Sequence, residues 1–254
     1  MGRTARLAVC VIATALTSLR PALSAETTVS VGVDYSTGDY GGNESTDILY
    51  VPVILKYETG AWIGKLTIPY IRITGPGEVI PDIGRVGSTT TPRTTEQGLG
   101  DVVASLTRAL YSGDRLLLDA TGKVKFATAD EDRFLGTGEN DYSAQFDAYV
   151  PAGKLTPLAS LGYRVLGDPP GIELDNVFYA SAGFTYAVND GLNAGAIFDF
   201  RERSSERRDP RRELLLFASQ KLQPGWRIQG YAVRGFSDDS PDWGAGAILS
   251  RAYE

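Results

Sequence analysis

The chain has 254 residues, of which 43% are hydrophobic and 22% charged, with a net charge of −6 and no histidine. The acidic balance argues against nucleic acid and against simple attraction to anionic lipid, and the lack of histidine removes the commonest general base. Counts of 29 glycines and 13 tyrosines favour turns and aromatic strands.

Residues 1–25 read as a segment outside the fold. Arg3 and Arg6 form a positive start, residues 7–19 are an apolar run, and residues 22–25 (ALSA) offer cleavage after Ser24 or Ala25. The run is too short to span a bilayer comfortably, so a cleaved signal peptide is expected, with a mature chain beginning near Glu26. Cleavage takes away three arginines and no acid, leaving 22 basic against 31 acidic residues, a balance of −9. It also takes away Cys10, the single cysteine, so neither disulfide nor thiolate is expected in residues 26–254. No apolar stretch beyond residue 25 approaches the roughly 18 residues of a transmembrane helix.

The rest of the sequence alternates with period two and shows no helical periodicity. Twelve strands are predicted, at 28–37, 47–58, 61–74, 99–111, 115–128, 141–150, 155–166, 177–188, 192–202, 213–222, 226–236 and 243–253. In residues 116–126, Leu116, Leu118, Ala120, Gly122, Val124 and Phe126 share one face, while Asp119, Thr121, Lys123 and Lys125 share the other. In residues 141–150, Tyr142, Ala144, Phe146, Ala148 and Val150 oppose Ser143, Gln145, Asp147 and Tyr149. Connections alternate between short turns rich in Gly, Pro, Asn and Asp (58–60, 112–114, 151–154, 189–191, 223–225) and long loops (38–46, 75–98, 129–140, 167–176, 203–212, 237–242).

An even number of strands joined alternately by short turns and long loops is the plan of a bacterial outer-membrane β-barrel, with the turns and both termini on the periplasmic side. Aromatic positions test this plan independently. Tyr57, Trp62, Tyr186, Trp226 and Tyr253 fall beside the turns, and Tyr35, Tyr70, Tyr142, Tyr163, Phe178, Phe200, Phe236 and Trp243 near the loop ends. Two aromatic girdles around a band of Leu, Val and Ala match the two headgroup levels of a bilayer. A secreted soluble barrel or sandwich also alternates, but turns its apolar faces inward. The expected fold is therefore all-β: one closed antiparallel transmembrane barrel of about twelve strands over residues 26–254.

The motifs GLGD (98–101), LGTGENDY (135–142), GYRVLGDPPG (162–171), DFRERS (199–204) and GFSDDSPDWGAG (235–246) resemble, in their order and at strand ends, an outer-membrane transporter family labelled phenol-degradation meta-pathway protein. The resemblance covers residues 98–250. It implies an outer-membrane barrel that passes hydrophobic or aromatic compounds. Barrels of this kind usually finish on a terminal aromatic, whereas here Tyr253 is followed by Glu254.

Twelve strands lie between a barrel filled by side chains and a wide aqueous channel. Candidate inward residues are Asp34, Lys65, Asp101, Asp119, Lys123, Lys125, Asp147, Arg164, Asp199, Arg201, Arg227 and Tyr231. They either pair across strands and stiffen the wall or line a polar path. Tyr50, Pro52 and Ile54, with Leu215 and Phe217, break the polar-inside rule. They suit either a hydrophobic solute or packing against an internal loop. Loop 75–98 is a candidate to fold into the mouth.

Arg203, Arg207, Arg208, Arg211 and Arg212 are placed at the outer rim as candidate contacts for lipopolysaccharide phosphates, with self-pairing among interleaved acids as the alternative. The acidic stretches 129–132 and 237–242 carry oxygen ligands but match no calcium loop, and no metal site is assigned. No zinc spacing, phosphate loop or nucleophile elbow occurs in residues 26–254, so neither enzyme nor cofactor is expected. The expected partners are outer-membrane lipid and lipopolysaccharide, the barrel-insertion machinery and a small solute; the sequence does not fix the oligomeric state, and a monomer is compatible with passive uptake. The competing reading is a closed structural or adhesive barrel whose loops bind a surface partner.

Overall fold

The computed structural model describes residues 22–254 apart from 41–43, 77–78, 81–83, 86–92, 172, 206–207 and 254. Residues 1–21 of the expected signal peptide lie outside the described residues, as does the middle of loop 75–98. The described elements, in chain order, are β1 (Ala22–Gly38), β2 (Thr46–Gly60), β3 (Trp62–Pro76), β4 (Val79–Ile80), β5 (Gly84–Arg85), β6 (Arg93–Leu99), β7 (Val102–Ser112), β8 (Leu117–Phe126), β9 (Asp141–Tyr149), β10 (Leu155–Val165), β11 (Val177–Ala187), β12 (Leu192–Arg201), β13 (Arg211–Gln223), β14 (Trp226–Gly235) and β15 (Trp243–Tyr253).

Each long strand pairs antiparallel with the next, and β1 pairs with β15 from Thr27–Tyr253 to Thr37–Trp243, which closes the sheet. Strands β6 and β7 both pair with β3 and together make one stave, so the barrel has 12 staves. Closure leaves no edge, so backbone groups along the wall find partners within it.

Period-two alternation is what turns this sheet into a membrane wall. Phe146 is 63% exposed on the outside, and Val31, Leu106, Leu161 and Leu216 share that surface. Ser30, Asp34, Ser181, Glu213 and Gln229 are buried on the inside. A soluble barrel has the opposite arrangement. An outward apolar band has its favourable contacts with acyl chains, since in water each exposed apolar Å² costs about 25 cal/mol.

The aromatic girdles form as expected. Tyr163 stacks beside Phe178 at 4.7 Å and Tyr35 beside Trp243 at 5.6 Å near the loop ends. At the turn ends, Arg108 lies over the Trp62 ring at 5.1 Å and Arg251 over Trp226 at 5.3 Å. Cations paired with aromatic rings at this level suit a headgroup boundary.

Two irregularities escape a strict period of two. A register shift between Ala109 and Tyr111 leaves the consecutive residues Leu110 and Tyr111 both exposed, which adds Tyr111 to the turn-side girdle. A second irregularity at Gly100 and Asp101 separates β6 from β7, with the Gly100 N–H donating to the Pro69 carbonyl at 2.9 Å. The predicted loop 75–98 is also shorter than expected. The β3–β6 ladder continues out to Pro76 and Arg93, where Thr74 faces Thr95 with their hydroxyls 3.1 Å apart.

Candidate functional site: the barrel lumen

The inward positions of β2, β3 and β7–β13 enclose a cavity of about 360 Å³. Eleven of the candidate inward residues border it: Tyr50, Lys65, Asp101, Asp119, Lys123, Lys125, Asp147, Arg164, Asp199, Arg201 and Leu215. Asp34, Pro52, Ile54, Phe217, Arg227 and Tyr231 do not. Ile54 and Phe217 are buried, Tyr231 donates to Asp34 at 2.8 Å, and Arg227 donates to Ser219 at 3.0 Å. Gly32 and Gly246 show why this side is filled. A Cβ on Gly32 would lie 3.1 Å from the Pro52 ring, and one on Gly246 would lie 2.4 Å from the Tyr231 ring. The open space is thus displaced toward the opposite wall.

A charged collar occupies the loop-side ends of the strands. Lys125 Nζ lies 3.1 Å from Asp101 and 3.2 Å from Asp141, and Arg164 Nη2 lies 2.6 Å from Asp141. Asp141 also accepts the Gly167 N–H at 3.0 Å. Arg211 makes a two-point contact with Glu213. Charges this buried persist only when paired and hydrogen-bonded, and each carboxylate in the collar has a cation beside it. At the other end, Lys56 pairs with Glu58 at 2.5 Å. Between the two ends, Asp119 and Asp147 face each other directly across β8 and β9, with the Gln145 amide donating to Asp147 at 2.6 Å. Like charges in that relation repel, so this stretch of wall favours a cation nearby.

Two apolar clusters accompany the charges. Tyr149, Leu158, Ile197, Leu215, Phe217 and Val233 form one across the interior. The other, near the loop end, joins Tyr40, Ile48, Tyr50, Ile71 and Ile73 to Leu135, which belongs to the loop between β8 and β9. That loop, residues 127–140, carries Leu135 to the cavity, whereas the expectation for loop 75–98 falls largely on residues outside those described. Asp101 Oδ1 accepts the N–H groups of Thr128 and Ala129 at 3.1 and 3.0 Å, and Lys125 Nζ donates to Thr137 at 3.1 Å. Gly138, at φ +72°, allows the loop to turn back toward β9. Burial pushes the Tyr40 phenol, on the facing loop, well above its usual pKa.

The two open readings of the apolar inward residues therefore divide. Tyr50 packs on an internal loop and also borders the cavity. Leu215 borders the cavity from the second cluster. Asp141, Arg211, Glu213, Tyr179 and Leu135 border the cavity as well, although they are missing from the candidate set. Asp141 was accessible to sequence reasoning, since it begins the alternating face of Ser143, Gln145 and Asp147. Leu135 carries no periodic signal, because it sits in irregular chain.

The outer-rim arginines need correction. Arg203 and Arg212 are exposed, and Arg207 lies outside the described residues. Arg208 and Arg211 are buried. Arg211 has the inward parity of β13, and Arg208 turns in to donate to Ser204 at 3.1 Å. Burial draws the Arg208 guanidinium pKa down, and Asp239 opposes the shift. Neither Arg208 nor Arg211 is placed to meet a lipid phosphate. Among the described residues, no three metal-ligating side chains come together, in the acidic loops or elsewhere.

No protein-family model and no curated protein matches the chain. Solved structures do. An outer membrane channel from Pseudomonas putida F1 aligns with a TM-score of 0.73 at 15% identity, covering 92% of this chain and 97% of that one. The translocator domain of the autotransporter NalP from Neisseria meningitidis aligns at 0.57 with 14% identity, covering 96% and 92%. The NanC porin aligns at 0.55 with 11% identity, covering 89% and 99%. At such identities the likeness is one of fold, the outer-membrane β-barrel.

Proposed function

We propose that this protein is an outer-membrane channel through which small apolar or aromatic solutes pass down their gradient. The observation that carries the reading is a lumen cavity bordered by both charged and apolar side chains inside a wall whose outer surface is apolar. A solute with an aromatic body and a polar edge finds partners on both kinds of lining. The 12-stranded barrel with short turns on one side supports placement in the outer membrane, turns toward the periplasm. The likeness to an outer membrane channel, at a TM-score of 0.73, supports passage through the lumen. The motif resemblance across residues 98–250 supports aromatic compounds as the solute class. Exposed Arg203 and Arg212 remain as candidate contacts for lipopolysaccharide at the rim.

The test is reconstitution. Planar bilayers should show discrete conductance steps. Liposomes should admit aromatic acids and alcohols faster than sugars of equal size. Entry of sugars or phosphates alone would overturn the solute class, and a silent bilayer with folded, heat-modifiable protein would favour the closed structural barrel. The filled side of the lumen and the apolar cluster beneath loop 127–140 are what keep that second reading in play.

A further inference from the structure

Leu135 stands out because two facts that belong to different parts of the molecule meet in it. It is only 2% exposed, although it sits in a loop with no regular structure. It also borders the lumen cavity while packing among Tyr40, Ile48, Tyr50, Ile71 and Ile73. An irregular loop normally presents polar residues to water, and here it delivers an isobutyl group to an apolar seat built by β2, β3 and the β1–β2 loop. The seat fits closely: a Cβ on Gly98 would come 2.8 Å from Leu135 Cδ1.

The loop is anchored on either side of Leu135 by polar contacts, at Thr128 and Ala129 to Asp101 and at Thr137 to Lys125. Between those anchors, Leu135 is the large apolar side chain that the loop sets on the seat, with Ala129 packing against the same cluster at the first anchor. Its backbone N–H donates to Asp130 within the same loop, at 3.1 Å, so no wall strand holds that stretch by a backbone ladder.

We propose that the seat now filled by Leu135 is the first binding site for an apolar solute entering the lumen, and that Leu135 is its built-in competitor. A solute with an aromatic or branched apolar group takes the place of the leucine side chain against Tyr50 and Ile71, and the loop swings off the mouth. Selection for apolar solutes then occurs at the gate, before the charged collar is reached. A polar solute cannot displace Leu135, since it would bury its hydroxyls without partners. This inference rests on the channel reading and adds to it the solute's site and the means of opening.

The experiment uses the full-length protein purified from outer membranes and inserted in planar bilayers, with toluene as the apolar probe and glycerol as the polar one. Three proteins are compared: wild type, Leu135→Ala and Ile48→Ala, the last thinning the seat from the wall. In wild type, toluene should raise open probability by about tenfold or more, and glycerol should leave it unchanged. The size follows from the cost of emptying a buried leucine site, where each factor of ten corresponds to about 1.4 kcal/mol. Leu135→Ala should be open without toluene and lose its response, and Ile48→Ala should raise basal opening and need more toluene for half its effect. Equal, toluene-insensitive conductance in all three overturns the inference and leaves the channel standing. Silence in all three, Leu135→Ala included, overturns both, because a gate whose latch is gone must pass current. Opening of wild type by glycerol as well as toluene overturns apolar recognition.

Discussion

Asp141 is the most informative residue to perturb in the collar, because its carboxylate serves two cations and one backbone N–H at once. Asp141→Asn keeps the shape and an accepting oxygen but removes the charge facing Lys125 at 3.2 Å and Arg164 at 2.6 Å. Its side chain is about 2% exposed, so solvent screening is small. A charge-assisted hydrogen bond contributes about 1.5–3 kcal/mol, and asparagine retains part of each contact, so a net loss of about 3 kcal/mol is expected. If the loss falls on the unfolding step, the barrel unfolds on the order of a hundredfold faster. The assay follows conversion from the compact to the extended gel band at fixed temperature over time, which measures kinetic stability directly. Lys125→Met should behave similarly, and the double variant Asp141→Asn with Lys125→Met should lose less than the sum, by about 1–2 kcal/mol. A rate for Asp141→Asn within threefold of wild type would refute the reasoning and show that water already screens the collar.

Phe146→Arg, at mid-length of β9 on the lipid side, should destabilise the folded barrel by roughly 2–4 kcal/mol, whereas Asp147→Asn, its inward neighbour, should stay within about 1 kcal/mol. Urea titration of protein folded into vesicles compares them, and equal losses would place both residues in the same environment. Asp119→Asn relieves a like-charge cross-strand pair, so it should stabilise by about 0.2–1 kcal/mol and lower any cation preference. Reversal potentials in a KCl gradient check the second effect, and an unchanged potential would show that ions do not pass that wall. Gly246→Ala would put a methyl 2.4 Å from the Tyr231 ring and 2.8 Å from the Val33 carbonyl, and should cost about 1–3 kcal/mol by overpacking. A neutral result in the same titration would mean that Tyr231 and the Val33 backbone both yield without cost.

Much of the barrel is visible in the amino-acid order. Alternation depends on immediate neighbours, so residues such as Phe146 and Asp147, or Leu118 and Asp119, declare their faces without any knowledge of the partner strand. Strand number, the turn chemistry and the two aromatic girdles follow from the same local rule. The rule fails where the chain leaves it. The register shift at Ala109 to Tyr111 sends two consecutive side chains outward, and parity cannot be carried across an irregular loop. Strand ends are the other weak point: β13 begins at Arg211 and not at residue 213, so Arg211, expected at the rim, takes the inward parity of Glu213.

What only the tertiary structure decided is how the interior is filled. Ser30 meets Ser250 at 2.8 Å through the closure of β1 on β15, although they lie 220 residues apart. Gly32 and Gly246 admit the side chains that crowd one half of the lumen. Leu135 reaches its seat by the path of an aperiodic loop. Strand faces are set by backbone geometry over two residues, and so they are written locally. Occupancy of a lumen is set by which side chains from distant strands and loops compete for one volume, and that competition exists only once the barrel has closed.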